Sequence, residues 1–191
     1  MINLRPYLYQ KENRSMTKLS PFEQVKEFHE VFDKPVKKEP QALTPEEAVT
    51  RANFTTEELL EFLYATVAGD VNQFESLVSE WKQAAEESIL KLKEQSKEVP
   101  DRLIGQVDAL TDANYFNYGS FVLMGINPDP IFSIVHQANM GKLFSDGKPR
   151  YRKADGKVLK PDNWEKEFAP EPKIRTEIER QIIKVDEGLI K

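Results

Sequence analysis

The strongest constraint on the fold is a helical repeat in the middle of the chain. Apolar side chains recur there every seven residues, with two aromatic side chains at the alternating positions: Val71, Val78, Ala85 and Leu92, with Phe74 and Trp81. Side chains spaced three, four and seven apart share one face of an α-helix. The pattern predicts a helix over residues 71–98, whose apolar face packs either within the protein or against a second copy of the chain.

Two capping boxes predict where earlier helices begin. Ser20-Pro21-Phe22-Glu23 and Thr44-Pro45-Glu46-Glu47 each place a hydroxyl at the N-cap, a proline at the first helical position and a glutamate at the third. The first helix is expected to end before Pro35. Within the second, Thr55 or Thr56 could cap a separate segment.

The remaining pattern predicts an all-α protein in three parts. Residues 1–19 are weakly patterned and are interpreted as an N-terminal arm. Residues 20–144 are predicted to form an all-α, catalytic-type antiparallel helical bundle. Residues 145–191 are predicted to be an extended, Gly- and Pro-rich C-terminal tail that ends in a short helix, with a turn at residues 153–159. The other predicted helices cover residues 102–124, 128–140 and 173–185.

Composition excludes several classes of chemistry. The chain of 191 residues has no cysteine and two histidines, so disulfides, cysteine nucleophiles and a multi-histidine zinc site are not expected. Its 27 basic and 32 acidic side chains give a net charge of -5, which argues against nonspecific nucleic-acid binding. No apolar run approaches a membrane span, and no secretory leader is evident. We therefore expect a cytoplasmic protein with neither nucleic acid nor membrane as its partner.

Two acidic clusters on predicted helices are the main candidate site. Glu57, Glu58 and Glu61 fall in one predicted helix, where Glu58 and Glu61 share a face and Glu57 lies beside Glu61. Asp108 and Asp112 share a face of a later helix in the same way. Grouped carboxylates are either solvated or held by cations, and their oxygen atoms suit Mg²⁺ or Mn²⁺. If the two helices pack face to face, the clusters form a divalent-metal site of the kind that handles phosphates.

A second candidate lies where a predicted helix ends, at Asn139-Met140-Gly141-Lys142. The residue types fit an ordinary helix C-terminus, because asparagine and glycine tolerate left-handed geometry and a lysine favours the negative end of a helix. They also fit a phosphate site in which Lys142 meets the phosphate charge and Asn139 contacts a phosphate or base. The sequence leaves both interpretations open.

Three blocks of sequence, taken in order, resemble the all-α nucleoside triphosphate pyrophosphohydrolases. This is the MazG-like superfamily, which also contains phosphoribosyl-ATP pyrophosphohydrolases and dimeric dUTPases. The resemblance covers roughly residues 22–165. The blocks are residues 57–61, residues 108–119 (Asp-Ala-Leu-Thr-Asp-Ala-Asn-Tyr-Phe-Asn-Tyr-Gly) and residues 135–142 (Val-His-Gln-Ala-Asn-Met-Gly-Lys).

The resemblance implies a reaction, a cofactor and an assembly. The reaction is hydrolysis of a nucleoside triphosphate between its α and β phosphates to a monophosphate and pyrophosphate, as in house-cleaning or dUTP-type enzymes. The implied cofactor is Mg²⁺, with Mn²⁺ as a substitute, and the implied assembly is a homodimer or higher homo-oligomer. The implied base is Glu57 or Glu58, and the implied nucleotide contacts are Asn139, Lys142 and Tyr115.

The metal site that the resemblance implies departs from the family pattern at one position. The family has Glu-x-x-Glu followed on a later helix by Glu-x-x-Asp. Glu58 and Glu61 match the first pair and Asp112 matches the final aspartate, but Ala109 occupies the remaining glutamate position. Asp108 is adjacent to it, about 100° away around the helix. The alternative to an active enzyme is therefore a catalytically weakened relative that binds nucleotide or a protein partner on the same scaffold.

Overall fold

The computed structural model describes residues 19–32, 34–154 and 156–187. These residues form seven α-helices and no strand beyond one isolated bridge, so the all-α prediction is confirmed. Apart from Leu19 and Ser20, the predicted N-terminal arm of residues 1–19 lies outside the described residues. The helices are α1 (Pro21–Val31), α2 (Pro45–Thr66), α3 (Val71–Gln95), α4 (Arg102–Leu123), α5 (Pro128–Met140), α6 (Trp164–Phe168) and α7 (Glu171–Asp186).

Both predicted capping boxes are present. In each, the hydroxyl of the N-cap residue accepts a hydrogen bond from the backbone N–H of the N3 glutamate, whose carboxylate accepts from the N-cap N–H: Ser20 with Glu23, and Thr44 with Glu47. The separate segment proposed at Thr55 does not form, because α2 is one continuous helix. The Thr55 hydroxyl instead donates to the carbonyl oxygen of Arg51 at 3.2 Å, a bond that lets a threonine remain inside a helix.

The later helices begin and end at residues suited to those positions. Asp70 caps α3, and the predicted helix ends slightly early because Ser96 adopts a left-handed conformation, with φ of 40°. The Asp101 carboxylate accepts from the N–H of Leu103 at 2.8 Å at the start of α4. Asn127 caps α5 through the N–H of Asp129. Local chemistry therefore sets most helix boundaries.

The described chain divides into two compact units, and the boundary falls within α4. The central unit is residues 39–114, and the terminal unit combines the described residues before position 39 with those from position 115 onward. In the central unit α2 packs against α3, and the side-chain amide of Gln106 on α4 exchanges hydrogen bonds with the backbone of Leu43. None of residues 39–114 is buried.

The terminal unit contains all the buried side chains of the described chain. Helix α5 packs against both α1 and α7. The core comprises Phe32, Ala138 and Trp164, with the polar side chains of Gln24 and Gln181. Gln181 bonds both backbone groups of Asn127, which fixes α7 against the start of α5. The C-terminal segment thus completes the core of this unit.

The predicted turn at residues 153–159 is a short hairpin. Tyr151 forms an isolated antiparallel bridge with Val158, and Gly156 allows the turn with φ of 69°. The Tyr151 hydroxyl donates to the carbonyl oxygen of Phe32, at the end of α1. None of the described helices combines the length and the apolar character that a membrane crossing requires.

Candidate functional site

The first acidic cluster lies on the exposed side of α2, beside an open groove. Glu57 and Glu61 line this groove, whose volume is about 470 Å³, together with Leu60, Tyr64 and Phe74. Glu58 is exposed on the same helix but does not line it. The groove therefore joins two carboxylates to an apolar and aromatic surface, which is a combination suited to a ligand with a charged end and a flat apolar end.

Two aromatic rings form the apolar part of the groove. Tyr64 on α2 and Phe74 on α3 meet edge to face, with ring centroids 5.3 Å apart. The connection between these helices turns back through Gly69, with φ of 81°, and a side chain there would lie 3.3 Å from the Tyr64 hydroxyl oxygen. Because the turn is tight, it holds the start of α3, and hence Phe74, close to the Tyr64 ring.

The five candidate metal ligands of the central unit make no hydrogen bond or ion pair within the described residues. This holds for Glu57, Glu58 and Glu61 on α2 and for Asp108 and Asp112 on α4, and all five side chains are exposed. Ala109 is exposed as well. The carboxylate oxygens are therefore available to an external cation, and no lysine or arginine of the described chain neutralises them.

The described residues do not gather these acids into one cluster. No group of three or more histidine, aspartate or glutamate side chains that could hold a metal ion occurs among them, and α4 does not pack extensively on α2 or α3. The donor chemistry of α2 nevertheless fits Mg²⁺, since it offers carboxylate oxygens from Glu57 and Glu61 on one face. The single chain thus presents part of a ligand set, and the predicted five-residue metal site stays a prediction.

Asn139 and Lys142 lie together in the terminal unit. The Lys142 ammonium donates to the side-chain oxygen of Asn139 at 2.7 Å, and both residues are half-buried. Lys142 follows the C-cap residue Gly141, whose φ of -65° is right-handed. The predicted left-handed C-cap is therefore absent here, and the glycine is needed for a different reason.

That reason is the close approach of α6. A β-carbon at position 141 would lie 2.3 Å from the Phe168 ring, far inside contact distance. The indole N–H of Trp164 donates to the carbonyl oxygen of Ala138 at 2.8 Å in a buried environment. Helix α6 thus covers the end of α5 and fixes the backbone that carries Asn139 and Lys142.

Tyr115 is strongly exposed, at 77 %, and its ring meets that of Phe116 edge to face with centroids 6.4 Å apart. It belongs to the terminal unit, whereas the α2 groove belongs to the central unit. The exposure leaves the ring face open, and its predicted role beside the base stays a prediction.

One carboxylate of the central unit, that of Asp70, has a lowered pKa. Asp70 accepts hydrogen bonds from the backbone N–H and the side-chain amide of Gln73, at 3.0 Å each. The backbone bond is the larger cause, and together these bonds lower the pKa of Asp70, because they stabilise its charged form. Asp70 is therefore a structural cap of α3, and its charged carboxylate stabilises the start of that helix.

Sequence reasoning found the acidic residues of the groove but missed its aromatic wall. Tyr64 follows Glu57 and Glu61 at spacings of seven and three, so helical periodicity would have placed it on their face. Phe74 was assigned to the heptad face of α3, as part of a packing seam. Its second role depends on the turn at Gly69, which the sequence pattern does not position.

The fold is all-α, as the sequence predicts for a MazG-like protein. The chain belongs to the phosphoribosyl-ATP pyrophosphohydrolase family, whose sequence model matches residues 25–139. It is also similar to the crystal structure of a "putative NTP pyrophosphohydrolase" from Exiguobacterium sp. 255-15, with 40% identity and a TM-score of 0.78 over 86% of this chain and 96% of that one. A search of curated proteins gives no match. The predicted family is thereby confirmed.

Proposed function

We propose that this protein is a Mg²⁺-dependent nucleoside triphosphate pyrophosphohydrolase of house-cleaning or dUTP type. It cleaves the anhydride between the α and β phosphates and releases a monophosphate and pyrophosphate. The observation that carries the proposal is the α2 groove, where Glu57 and Glu61 stand without partners in the described chain beside the Tyr64 and Phe74 rings. Membership of the family makes a triphosphate the expected ligand.

Different residues of this chain are proposed to bind the metal ion, to accept the proton and to contact the base. Glu58, Glu61 and Asp112 would hold Mg²⁺, with Glu57 and Asp108 as further oxygen donors. When bound, the ion would neutralise phosphate charge and lower the pKa of a water molecule that it holds. Either Glu57 or Glu58 accepts a proton from the attacking water while the water oxygen forms its bond to phosphorus. The bond between that phosphorus and the bridging oxygen breaks, and the bridging oxygen leaves with the electron pair. The flat apolar wall of Tyr64 and Phe74 suits a base.

Asn139, Lys142 and Tyr115 are the further residues that we propose to contact the nucleotide. Lys142 provides the positive charge, and Asn139, which accepts a hydrogen bond from the Lys142 ammonium, helps to orient the nucleotide. Tyr115 contacts the base through its exposed ring. Because the backbone of Asn139 is fixed by the buried Trp164 bond, the pair is positioned before a ligand arrives.

We further propose that the active form is a homodimer or higher homo-oligomer. Residues 39–114 bury no side chain, although α2, α3 and the first part of α4 carry large apolar groups. Seven of these apolar side chains have more than a third of their surface exposed: Phe54, Phe62, Leu90, Leu92, Ile104, Val107 and Leu110. Large exposed apolar side chains in this number favour a partner surface, since burying one such side chain stabilises by about 1.5–3 kcal/mol. A second copy offers a matching surface.

The test of the reaction is pyrophosphate release from a panel of canonical and modified triphosphates with Mg²⁺. Glu61→Gln is expected to abolish release, because it removes a charged oxygen donor while keeping the size of the side chain. Glu179→Gln, an exposed glutamate on α7, is the matched control and should retain activity. Full activity of the Glu61 variant would contradict the proposal.

The second candidate function is a nucleotide-binding relative with little turnover. The observation that favours it is Ala109, an exposed alanine on α4 where the family pattern has a metal-binding glutamate. Calorimetric titration with a non-hydrolysable triphosphate separates the two. Binding without pyrophosphate release across the whole panel would favour this second function.

A further inference from the structure

The last turn of α5 depends on a hydrogen-bond donor from outside the helix. The last four carbonyl oxygens of any α-helix have no partner within it and need donors from elsewhere. In α5, the oxygens of Gln137 and Met140 accept from backbone N–H groups of the residues that directly follow the helix. The two remaining oxygens are those of Ala138 and Asn139, and they are satisfied in different ways.

The Ala138 oxygen accepts from a side chain, because the backbone turns more tightly here than an α-helix does. In a continuing helix, the N–H of Lys142 would reach the Ala138 oxygen. It donates instead to the oxygen of Asn139 at 3.1 Å, a bond that spans three residues. The indole N–H of Trp164 takes its place at 2.8 Å, and both Ala138 and Trp164 are buried. Without this donor, the Ala138 oxygen would draw back the Lys142 N–H, so Trp164 selects between two endings of α5.

Trp164 is itself held in place from its own side. Its backbone N–H donates to the carbonyl oxygen of Pro161 at 2.9 Å, and the Lys160 ammonium lies 3.5 Å from the centre of its ring. One turn later on α6, the Phe168 ring packs against Gly141. Two side chains of α6 therefore hold the end of α5, and both lie beyond residue 139, where the match to the family model ends.

The tightened turn brings two donor groups together. The Lys142 ammonium donates to the side-chain oxygen of Asn139 at 2.7 Å. Because an ammonium group only donates, this bond orients the Asn139 amide, with its oxygen towards Lys142 and its NH2 group available as a donor. Phosphate oxygens, which accept hydrogen bonds, fit such a pair better than the edge of a base, which both donates and accepts.

Building on the proposed function, in which Asn139 and Lys142 contact the nucleotide, we propose that Trp164 is a positioning residue for the triphosphate. Its indole N–H sets the ending of α5 that aligns Asn139 and Lys142 on the phosphate oxygens. Trp164 is 5% exposed, so its effect on binding passes through the turn and not through a contact of its own with the ligand.

The experiment measures the affinity of the full-length protein for a non-hydrolysable triphosphate, by calorimetric titration with Mg²⁺. Trp164→Phe keeps an aromatic ring but removes the donor. It should weaken binding about tenfold, the factor that corresponds to one hydrogen bond lost between the pair and the ligand. Replacing Trp164 by 3-benzothienylalanine, in a Trp81→Phe background, exchanges only the N–H for sulfur and keeps the ring size. It should give the same loss relative to Trp81→Phe, with the helical circular dichroism unchanged.

Two further variants separate positioning from a general loss of stability. Gln181 is also buried and also bonds the backbone of α5, but at Asn127, the opposite end of the helix. Gln181→Met should therefore lower the midpoint of thermal unfolding, as Trp164→Phe does, and leave the affinity unchanged. Lys142→Gln removes a group through which Trp164 acts, so adding Trp164→Phe to it should weaken binding by no more than about twofold.

The outcomes distinguish this proposal from the proposed function. Unchanged affinity in the folded Trp164 variants overturns the proposal, as does an equal loss in Gln181→Met or a full tenfold effect in the Lys142→Gln background. A parent protein that binds no triphosphate overturns the proposed function, and the role of Trp164 with it. Inorganic tripolyphosphate should show the same tenfold loss, whereas a loss confined to the nucleotide would overturn the assignment to phosphate oxygens.

Discussion

Residue 109 determines how complete the proposed metal ligand set on α4 would be. Ala109 and its neighbour Asp108 are both exposed, but they point about 100° apart around the helix. An aspartate one position away therefore cannot direct its oxygens to the same point as a glutamate at 109 without a shift of the ion or a bridging water. The proposed ligand set is consequently less complete on α4 than on α2.

Ala109→Glu is accordingly expected to strengthen metal binding. The added carboxylate restores the Glu-x-x-Asp spacing with Asp112, and its exposed position accepts the longer side chain without a clash. The Mg²⁺ concentration for half-maximal pyrophosphate release should fall by about tenfold, as one additional charged ligand suggests. Ala84→Glu, the same change at an exposed alanine of α3, is the control; an unchanged Mg²⁺ requirement in Ala109→Glu would argue against a metal site on this face.

Gly141 is irreplaceable for a steric reason. Gly141→Ala forces a β-carbon against the Phe168 ring, which must move and disturb the cover over α5. We expect a loss of about 1–3 kcal/mol in the free energy of unfolding, the usual range for overpacking, measured by urea denaturation. Gly119→Ala is the control, because a β-carbon there meets no atom within 4 Å, and it should not destabilise the protein.

The lowered pKa of the cap residue Asp70 predicts how the stability of α3 depends on pH. Its folded-state pKa lies below the ordinary value of 3.8, so its contribution is complete above that value and is lost as the pH falls through the folded-state pKa. The midpoint temperatures of thermal unfolding of the parent protein and of Asp70→Asn should therefore converge in strong acid and differ at neutral pH. A constant difference across that range would show that the charge of Asp70 has no role.

At the scale of elements, capping chemistry explains why most of the helices were predictable. Ser20, Thr44 and Asp101 each fix a helix start by a side-chain bond that their sequence context indicates. Helix α6 was not predicted, because five residues are too few to show a helical period. It forms where Trp164 and Phe168 find partners on α5, which are tertiary contacts that no local pattern contains.

The capping box of α2 gives a prediction at this scale. Thr44→Ala removes the hydroxyl that accepts from the Glu47 N–H, and should lower the free energy of unfolding by about 1 kcal/mol. Thr50→Ala removes a hydroxyl that only donates back to the Glu46 carbonyl within the same helix, so it should have little effect. Equal losses in urea denaturation would contradict a specific role for the cap.

At the scale of the molecule, the central unit lacks a buried core within the described chain. Leu110→Glu places a charge on a surface that the proposed dimer buries, and should shift the protein towards monomer in light scattering after gel filtration. Ile182→Glu, at a similarly exposed position of the terminal unit, is the control. The thermal midpoint of the parent should rise with protein concentration, as for any assembly that folds together. A monomeric parent protein would contradict the assembly.

The sequence indicated the class of the molecule better than it indicated the site. The acids of α2 and α4 were identified by spacing within single helices, which depends only on helical geometry. Their convergence depends on how helices meet, and the described chain brings no three of them together. Periodicity assigns an apolar face to Leu110 or Phe62 without stating whether the partner is in the same chain, so the sequence could not settle how the site is completed.

The chain has two tryptophans, and each unit contains one of them. Trp164 is 5% exposed and hydrogen-bonded in the terminal core, while Trp81 is half-exposed on α3. Replacing either one by phenylalanine leaves a single fluorophore that reports on one unit alone. The emission of Trp81 would then follow assembly of the central unit, and that of Trp164 would follow unfolding of the terminal core, so the order of the two events can be read optically.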